Sequence, residues 1–270
     1  MFSIYTTLYN VTKNKFDVDG ALNNFCRFAE EVCVAVPTND LEDNTMEGLE
    51  AWRARVASSK YNSVLKIVEC PDIRFSDNEF DGKLKNAALQ ATSNPVKINM
   101  DGDERIPLSH ASQWRNFAQI LLGSQFDALF VPSVDLWGNP EFIRSNHRVG
   151  LKWRMHKAGL YRGVVNFARL PNGKIDTTKS DTCELINANG DLASTAMICN
   201  QEWLNPAQAS ELINTIYTLH YGYLDFDYRI NINGFWKPRW EDRSGKTENV
   251  TLQREDLERE PVVRHNLPLE

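Results

Sequence analysis

Phe2 to Leu8 is a run of aromatic and β-branched residues that predicts a strand, and polar Tyr9 to Lys15 predicts a loop at its carboxyl end. From Asp19 onward, Leu22, Phe25, Phe28 and Ala29 recur at helical spacing, and Val32 to Val36 then reads as a short, wholly apolar strand. Thr45 to Ala57 carries Leu49, Trp52 and Val56 on one stripe and predicts a second helix, followed by a strand from Val64 to Val68. Asp81 is positioned to cap a third helix bearing Leu84, Ala87, Ala88 and Ala91, which closes at Ser93-Asn94-Pro95 before a strand beginning at Val96. Such alternation predicts an α/β fold of three layers, α/β/α, around a mostly parallel central sheet. In sheets of this kind ligands bind beyond the carboxyl ends of the strands, where the loops at Tyr9, at Pro37 to Asp43 and at Asp101 all fall.

Past residue 105 the pattern changes. Ser109 is expected to cap a helix reaching Leu122, and Ala128 to Val131 reads as a strand. Leu151 to His156 and Tyr161 to Phe167 read as further strands. Asn205-Pro206 predicts the start of a helix with Leu212, Ile213, Ile216 and Leu219 as its buried stripe. The segment from 239 to 270 is highly charged with little apolar periodicity, and reads as a tail that wraps the surface, joins a partner or is partly disordered.

At 270 residues with 42% hydrophobic residues, the chain has enough apolar material for one large domain. A formal charge of −6 argues against a general grip on nucleic acid, which needs a basic face to replace counterions. Cys26, Cys33, Cys70, Cys183 and Cys199 are odd in number with no C-x-x-C pair, so neither a disulfide framework nor a zinc ribbon is indicated. The first residues hold no charged n-region or long apolar h-region, and no window approaches ~18 uninterrupted apolar residues. The expectation is a soluble, cytoplasmic protein without a transmembrane segment.

The chemistry concentrates at Asp101-Gly102-Asp103-Glu104, where a strand runs into a turn carrying three carboxylates. Asp101 and Asp103, two residues apart, are spaced to converge on one hard divalent cation that bridges phosphate oxygens. The bland alternative is a solvated acidic turn. No G-x-x-x-x-G-K-[ST], G-x-G-x-x-G, H-E-x-x-H or G-x-S-x-G is present, which removes common routes to nucleotide hydrolysis, dinucleotide binding, zinc proteolysis and serine hydrolysis. Phe16-Asp17-Val18-Asp19-Gly20 imitates a phosphatase D-x-D-G, but no buried strand precedes it, and it reads instead as a helix start.

Four segments together resemble the nucleotide-binding half of GT-A-fold, family-2-type glycosyltransferases. They are Ser3 to Asn10, Leu22 to Val36, Phe80 to Leu89, and the Asp101-Gly102-Asp103-Glu104 turn. The resemblance implies a donor-binding half over 1–105, an acceptor-side half over 106–238 and the charged tail at 239–270. It further implies transfer of a sugar from a nucleoside-diphosphate sugar, UDP-linked, to an acceptor that the sequence does not identify. On this likeness Thr6, Thr7 and Leu8 belong to the donor loop, Lys85 lies near the phosphates, and Asp101 and Asp103, with Gly102 between them in the donor-binding turn, hold Mn²⁺ or Mg²⁺; Arg154, from the second half, is a cation available to the diphosphate. Pro37 stands where the family usually has an acidic residue, so base recognition falls to Thr38, Asn39 or Asp40.

Sugar transfer needs a carboxylate to take the acceptor's proton, and Asp181, then Glu184, are the first choices, with Asp135 beside Trp137 as another. Each of these has a simpler reading as a turn-capping acid. Lys152 and Arg162 are further cations available to the diphosphate. Trp137 and Trp153 offer flat faces to a sugar, although core packing is the commoner fate of such rings. His156 is a third-ligand candidate or a hydrogen-bonded structural histidine. Two other functions stay open: a nucleotidyltransferase on the same sheet, and a catalytically degenerate nucleotide-sugar-binding protein.

Overall fold

The structure, a computed structural model, describes residues 1–58, 61–75, 77, 80–144, 147–148, 150–157, 159–162, 184–198, 203–204, 215–230, 253–265 and 267. The first hundred residues form β1 (Phe2–Thr7), α1 (Val18–Phe28), β2 (Glu31–Val36), α2 (Thr45–Ser58), β3 (Val64–Glu69), α3 (Phe80–Gln90) and β4 (Val96–Asn99). β1 pairs in parallel with β2 and β4, and β2 with β3, which puts four carboxyl ends on one edge of the sheet.

After β4 come β5 (Glu104–Arg105), α4 (Ala111–Gly123), β6 (Ala128–Trp137), β7 (Asn139–Arg144), β8 (His147–Arg148) and β9 (Gly150–His156). Then follow β10 (Leu160–Arg162), β11 (Glu184–Ile186), β12 (Thr195–Met197), β13 (Trp203–Leu204), β14 (Thr218–His220), α5 (Arg254–Glu258) and β15 (Val262–Arg264). The main sheet runs β15-β7-β6-β9-β4-β1-β2-β3, parallel at the β3 end, with β9, β7 and β15 antiparallel to their neighbours. β12 and β14 both dock in parallel on β6, and β14 also pairs antiparallel with β5.

Side-chain alternation on the strands builds the two outer layers. Ile4, Val32, Val34 and Ile98 face α1, α2 and α4, where Leu22, Phe25, Leu49, Trp52, Trp114 and Leu121 complete one core. Tyr5, Cys33 and Ala35 face the other way, onto Phe80, Leu84 and Ala88 of α3 and Tyr161 and Leu185 of the antiparallel β10–β11 pair. Cys26, Cys33 and Cys70 are buried and free. No described helix is long and apolar enough to cross a membrane.

Three expectations change. Ile216 and Leu219 do not lie on a helix, because β14 occupies 218–220 and Ile216, Tyr217, Thr218 and Leu219 are all fully buried. A strand buried on both faces shows no alternation, so two apolar residues three apart imitate a helical stripe; residues 205–214 lie outside the described residues. Ser109 does not cap α4: it sits inside a 3₁₀ turn, Leu108–His110, that precedes the helix. Asp81 falls in the first turn of α3 rather than at its cap. The described part of the charged tail supplies a helix and an edge strand, with Leu257 and Leu267 buried. Its ordering rests on these apolar anchors and on the backbone ladder with β7.

Candidate functional site

The turn after β4 is held from within. Glu104 N donates to Asp101 O at 3.0 Å, and Asp101 N donates to Glu104 Oε2 at 3.0 Å. Glu104 and Arg154 are both fully buried and form an ion pair; Ser133 Oγ adds a hydrogen bond to Glu104 Oε1 at 3.2 Å. Arg154 Nη1 donates to Asn99 O at 3.1 Å, and its Nη2 lies 3.6 Å from Asp101 Oδ2. Glu104 is therefore an internal anchor of the turn, and Arg154 reaches the turn from beneath it. A buried pair of this kind is costly to break, because removing one partner strands a charge. Gly102 is needed where it stands, since an added methyl would run into the Phe16 ring and Leu8.

Asp101 and Asp103 face different partners. Asp101 Oδ1 lies 3.9 Å from Lys85 Nζ on α3, and the lysine lies 6.0 Å from the Tyr161 ring centroid. Asn86 fastens β10 to α3 by a paired contact with Tyr161, accepting from its N at 2.6 Å and donating to its O at 2.5 Å. Asp103 Oδ2 lies 3.1 Å from His220 Nε2, and His220 Nδ1 lies 2.6 Å from Asp135 Oδ1. Burial disfavours a charged ring at His220, but Asp103 and Asp135 outweigh it and raise its pKa well above 6.5. Each ring nitrogen faces a carboxylate oxygen, an arrangement that favours the imidazolium, which can donate to both.

Asp135 comes from β6, Asp103 from the turn and His220 from β14, so three elements meet here. The sequence pattern does not single out His220, because the spacing of Ile216 and Leu219 predicts a helix there and gives the histidine no defined place. The signal available was His220-Tyr221-Gly222 directly after four consecutive residues that a strand would bury. Gly222 is the partner of that arrangement: a Cβ there would lie 2.6 Å from His220 Nε2 and 2.9 Å from Asp103 Oδ2.

The other expected residues are distributed as follows. Thr6 and Leu8 are buried, so any ligand contact from them is through backbone, while Thr7 is half-buried. Thr38, Asn39 and Asp40 form a short 3₁₀ turn after β2. Asn39 Nδ2 donates to Pro71 O at 3.0 Å, and Asp40 accepts from Phe75 N at 2.5 Å and Arg74 Nη1 at 3.1 Å. These bonds shape an open recess lined by Tyr9, Asn39, Asp40, Leu41, Glu42 and Phe75, in which Tyr9 stacks on Phe75 at 5.3 Å. Burial, then the nearby Asp40 and Glu42, push the Tyr9 hydroxyl's pKa up.

Asp181 lies outside the described residues, and Glu184 begins β11 with its side chain outside them, as are those of Lys152, Trp153 and Arg162. Trp137 packs inside, stacked on Tyr223 at 4.4 Å with Nε1 donating to Leu257 O. His156 is buried and structural: Tyr5 OH lies 2.6 Å from Nε2, and Nδ1 donates to Lys157 O. Burial lowers its pKa to about 4.

Among the described residues no three His, Cys, Asp or Glu side chains are grouped to hold a metal ion as they stand. Two groups could serve one as neighbouring ligands once the proton between them leaves. Adjacent ligands of an octahedral cation with bonds of 2.0–2.1 Å lie about 3 Å apart, and Asp103 Oδ2 and His220 Nε2 are 3.1 Å apart. Mg²⁺-type ions commonly take one or two protein groups and complete their shell with phosphate oxygens and water.

No family model matches the chain, and no curated protein matches it. Among solved structures, residues 1–349 of S. aureus TarS overlay 94% of this chain and 76% of their own length, at 12% identity and a TM-score of 0.42. The same protein in complex with UDP-GlcNAc overlays 92% of this chain and 76% of its own, at 16% identity and a TM-score of 0.42. The glycosyltransferase GlyE of Streptococcus pneumoniae overlays 50% of this chain and 30% of its own, at 9% identity and a TM-score of 0.29. Overlaps this loose carry no chemistry with them, which rests on the chain's own side chains.

Proposed function

We propose that the chain is a glycosyltransferase that takes a nucleoside-diphosphate sugar, UDP-linked, and moves the sugar to an acceptor hydroxyl with the help of Mn²⁺ or Mg²⁺. The observation that carries this reading is the line Asp103–His220–Asp135 at the carboxyl end of a parallel sheet, with Lys85 and Asp101 beside it.

Asp103 and His220 would hold the cation, with Asp101 on the same turn, and His220 gives up its Nε2 proton when it ligates. When bound, the cation supplies positive charge to the diphosphate as that group leaves. Lys85 adds a second positive charge on the α3 side. The recess at Tyr9 and Phe75 suits a flat base, with Asn39 and Asp40 in its lining and Thr38 on the same 3₁₀ turn. Asp135 is the carboxylate best supported for receiving the acceptor's proton, because β6 delivers it next to the turn. Asp181 and Glu184 stay in the proposal as alternatives for that step.

The test is isothermal titration with UDP, GDP and their sugar conjugates, first with Mn²⁺ and then with EDTA, followed by product analysis over an acceptor panel. Metal-dependent binding of UDP and release of nucleoside diphosphate are expected. Release of pyrophosphate would replace this reading with nucleotidyl transfer, and no binding of any nucleotide would end it.

A further inference from the structure

Arg105, the residue after the acidic turn, is 6% exposed, and both terminal nitrogens of its guanidinium are committed to structure. Nη1 donates to Gly102 O at 2.9 Å and to Glu104 O at 2.8 Å, so it grips two carbonyls of the turn. Nη2 donates to Asp17 O at 3.0 Å and to Asp17 Oδ2 at 2.9 Å. The guanidinium also lies 5.2 Å from the Tyr221 ring centroid, and Tyr221 N donates to Asp103 O at 2.7 Å.

Asp17 has a double duty. Its Oδ1 caps α1 by accepting from Gly20 N at 2.9 Å, while Oδ2 serves Arg105. Gly20 is the fitted piece: a Cβ there would strike Asp17 Oδ2 and come within 2.8 Å of Arg105 Nη2. The Asp17 side chain is 71% exposed and the Arg105 side chain 7%, so a surface carboxylate balances a buried cation. An exposed ion pair contributes little by itself. Here one partner is buried, and losing the other leaves that cation without a carboxylate.

We propose that Arg105, fixed by Asp17, is a positioning residue that sets the Asp101–Asp103 turn against His220 and thereby the affinity of that site for a divalent cation. The proposal rests on the cation-binding reading of the site. The planar fork matters as well as the charge. A lysine at 105 places one point charge and cannot hold Gly102 O, Glu104 O and Asp17 together. The links run to both sides of the turn: through Asp17 to the start of α1, and through Tyr221 to the strand that carries His220.

Two variants that leave every carboxylate in place test it: Arg105→Lys, which removes the fork, and Gly20→Ala, which crowds the clamp from the helix side. Gly20→Ala also displaces the carboxylate that caps α1, so its defect counts for the clamp only where Arg105→Lys, which leaves that cap in place, shows it too. Amide hydrogen exchange is expected to accelerate about tenfold or more at Glu104 and Tyr221 in both variants, with Val34 in β2 unchanged. Mn²⁺ affinity measured by titration is expected to fall about tenfold to a hundredfold, the range for residues that orient ligands, with UDP binding in EDTA unchanged. Faster exchange with wild-type Mn²⁺ affinity would overturn the proposal, since the pair would then be structural only. Wild-type exchange in both variants would overturn it too. A wild-type protein that takes up no Mn²⁺ overturns the reading of the site instead, and exchange at Glu104 and Tyr221 then decides whether the clamp exists.

Discussion

Glu31→Gln is expected to cost about 3 kcal/mol at neutral pH, and much less in acid. Glu31 opens β2 and is 5% exposed. Its carboxylate accepts Ser3 Oγ at 2.5 Å, Ser93 N at 2.7 Å and Ser93 Oγ at 2.8 Å, and Lys66 Nζ lies at 2.6 Å. Burial alone would raise the pKa, but the donors from Lys66, Ser3 and Ser93 outweigh it and lower it from 4.5 to about 2. A gap of about 2.5 units at 1.36 kcal/mol each gives about 3 kcal/mol. The folded state holds the carboxylate ionised, so the unfolded chain protonates first as pH falls. The contribution is whole above about pH 5, falls to about 1.4 kcal/mol at pH 3, and is gone below pH 2. Urea unfolding of both proteins at pH 7 and pH 3, followed by tryptophan fluorescence, measures the difference, and every other titrating group cancels in it. Equal stabilities at pH 7, or a deficit that does not shrink between pH 7 and pH 3, would refute the reasoning.

Asp103→Asn should weaken Mn²⁺-dependent UDP binding by about tenfold or more, because it removes the charged oxygen 3.1 Å from His220; calorimetry with and without EDTA reads it. Tyr9→Ala should weaken UDP binding about fivefold, by about 1 kcal/mol of stacking, equally with and without metal. Gly102→Ala should destabilise by about 1–3 kcal/mol through overpacking against Phe16. Adding Phe16→Leu should return part of that loss, and additive losses in urea titrations would contradict the contact. His156, neutral with a pKa of about 4, resists a proton that the unfolded chain takes up below pH 6.5, so stability should drop by up to about 3 kcal/mol as pH falls to 4. A His156→Asn variant, compared over the same range, should lack that drop.

The first hundred residues were legible because each strand there is short and rich in β-branched residues, with β1, β2 and β4 almost wholly buried, and each helix carries one apolar stripe, as at Leu22–Phe25 and Leu49–Val56. The carboxylate turn was legible because the strand delivering it is short, buried and set off by Asn94-Pro95 before it and Gly102 after it, although its partners β1 and β9 lie far off in sequence. The rest depends on distant pairings. β14 lies between β5 and β6, and nothing local in 216–220 distinguishes a strand from a helix when every position is buried. His220 reaches Asp103 across 117 positions and Asp135 across 85, contacts that no local period encodes. Asp17 shows the opposite case: its helix-cap role was legible in Phe16 to Gly20, while its second partner, Arg105, was not.

Pro132 sits inside β6, an interior strand where a proline costs a backbone donor. On one side β9 pairs with it opposite Leu151, while on the other β12 covers 128–130 and β14 covers 133–135. Pro132 falls between those two docking stretches, where no described strand on that side takes an N–H from it. It works as a partition: a strand sliding along β6 from either direction meets a position that cannot donate. The two segments are thereby kept in separate berths, and the register that carries His220 to Asp135 is protected from slippage at the cost of one bond that the fold never forms.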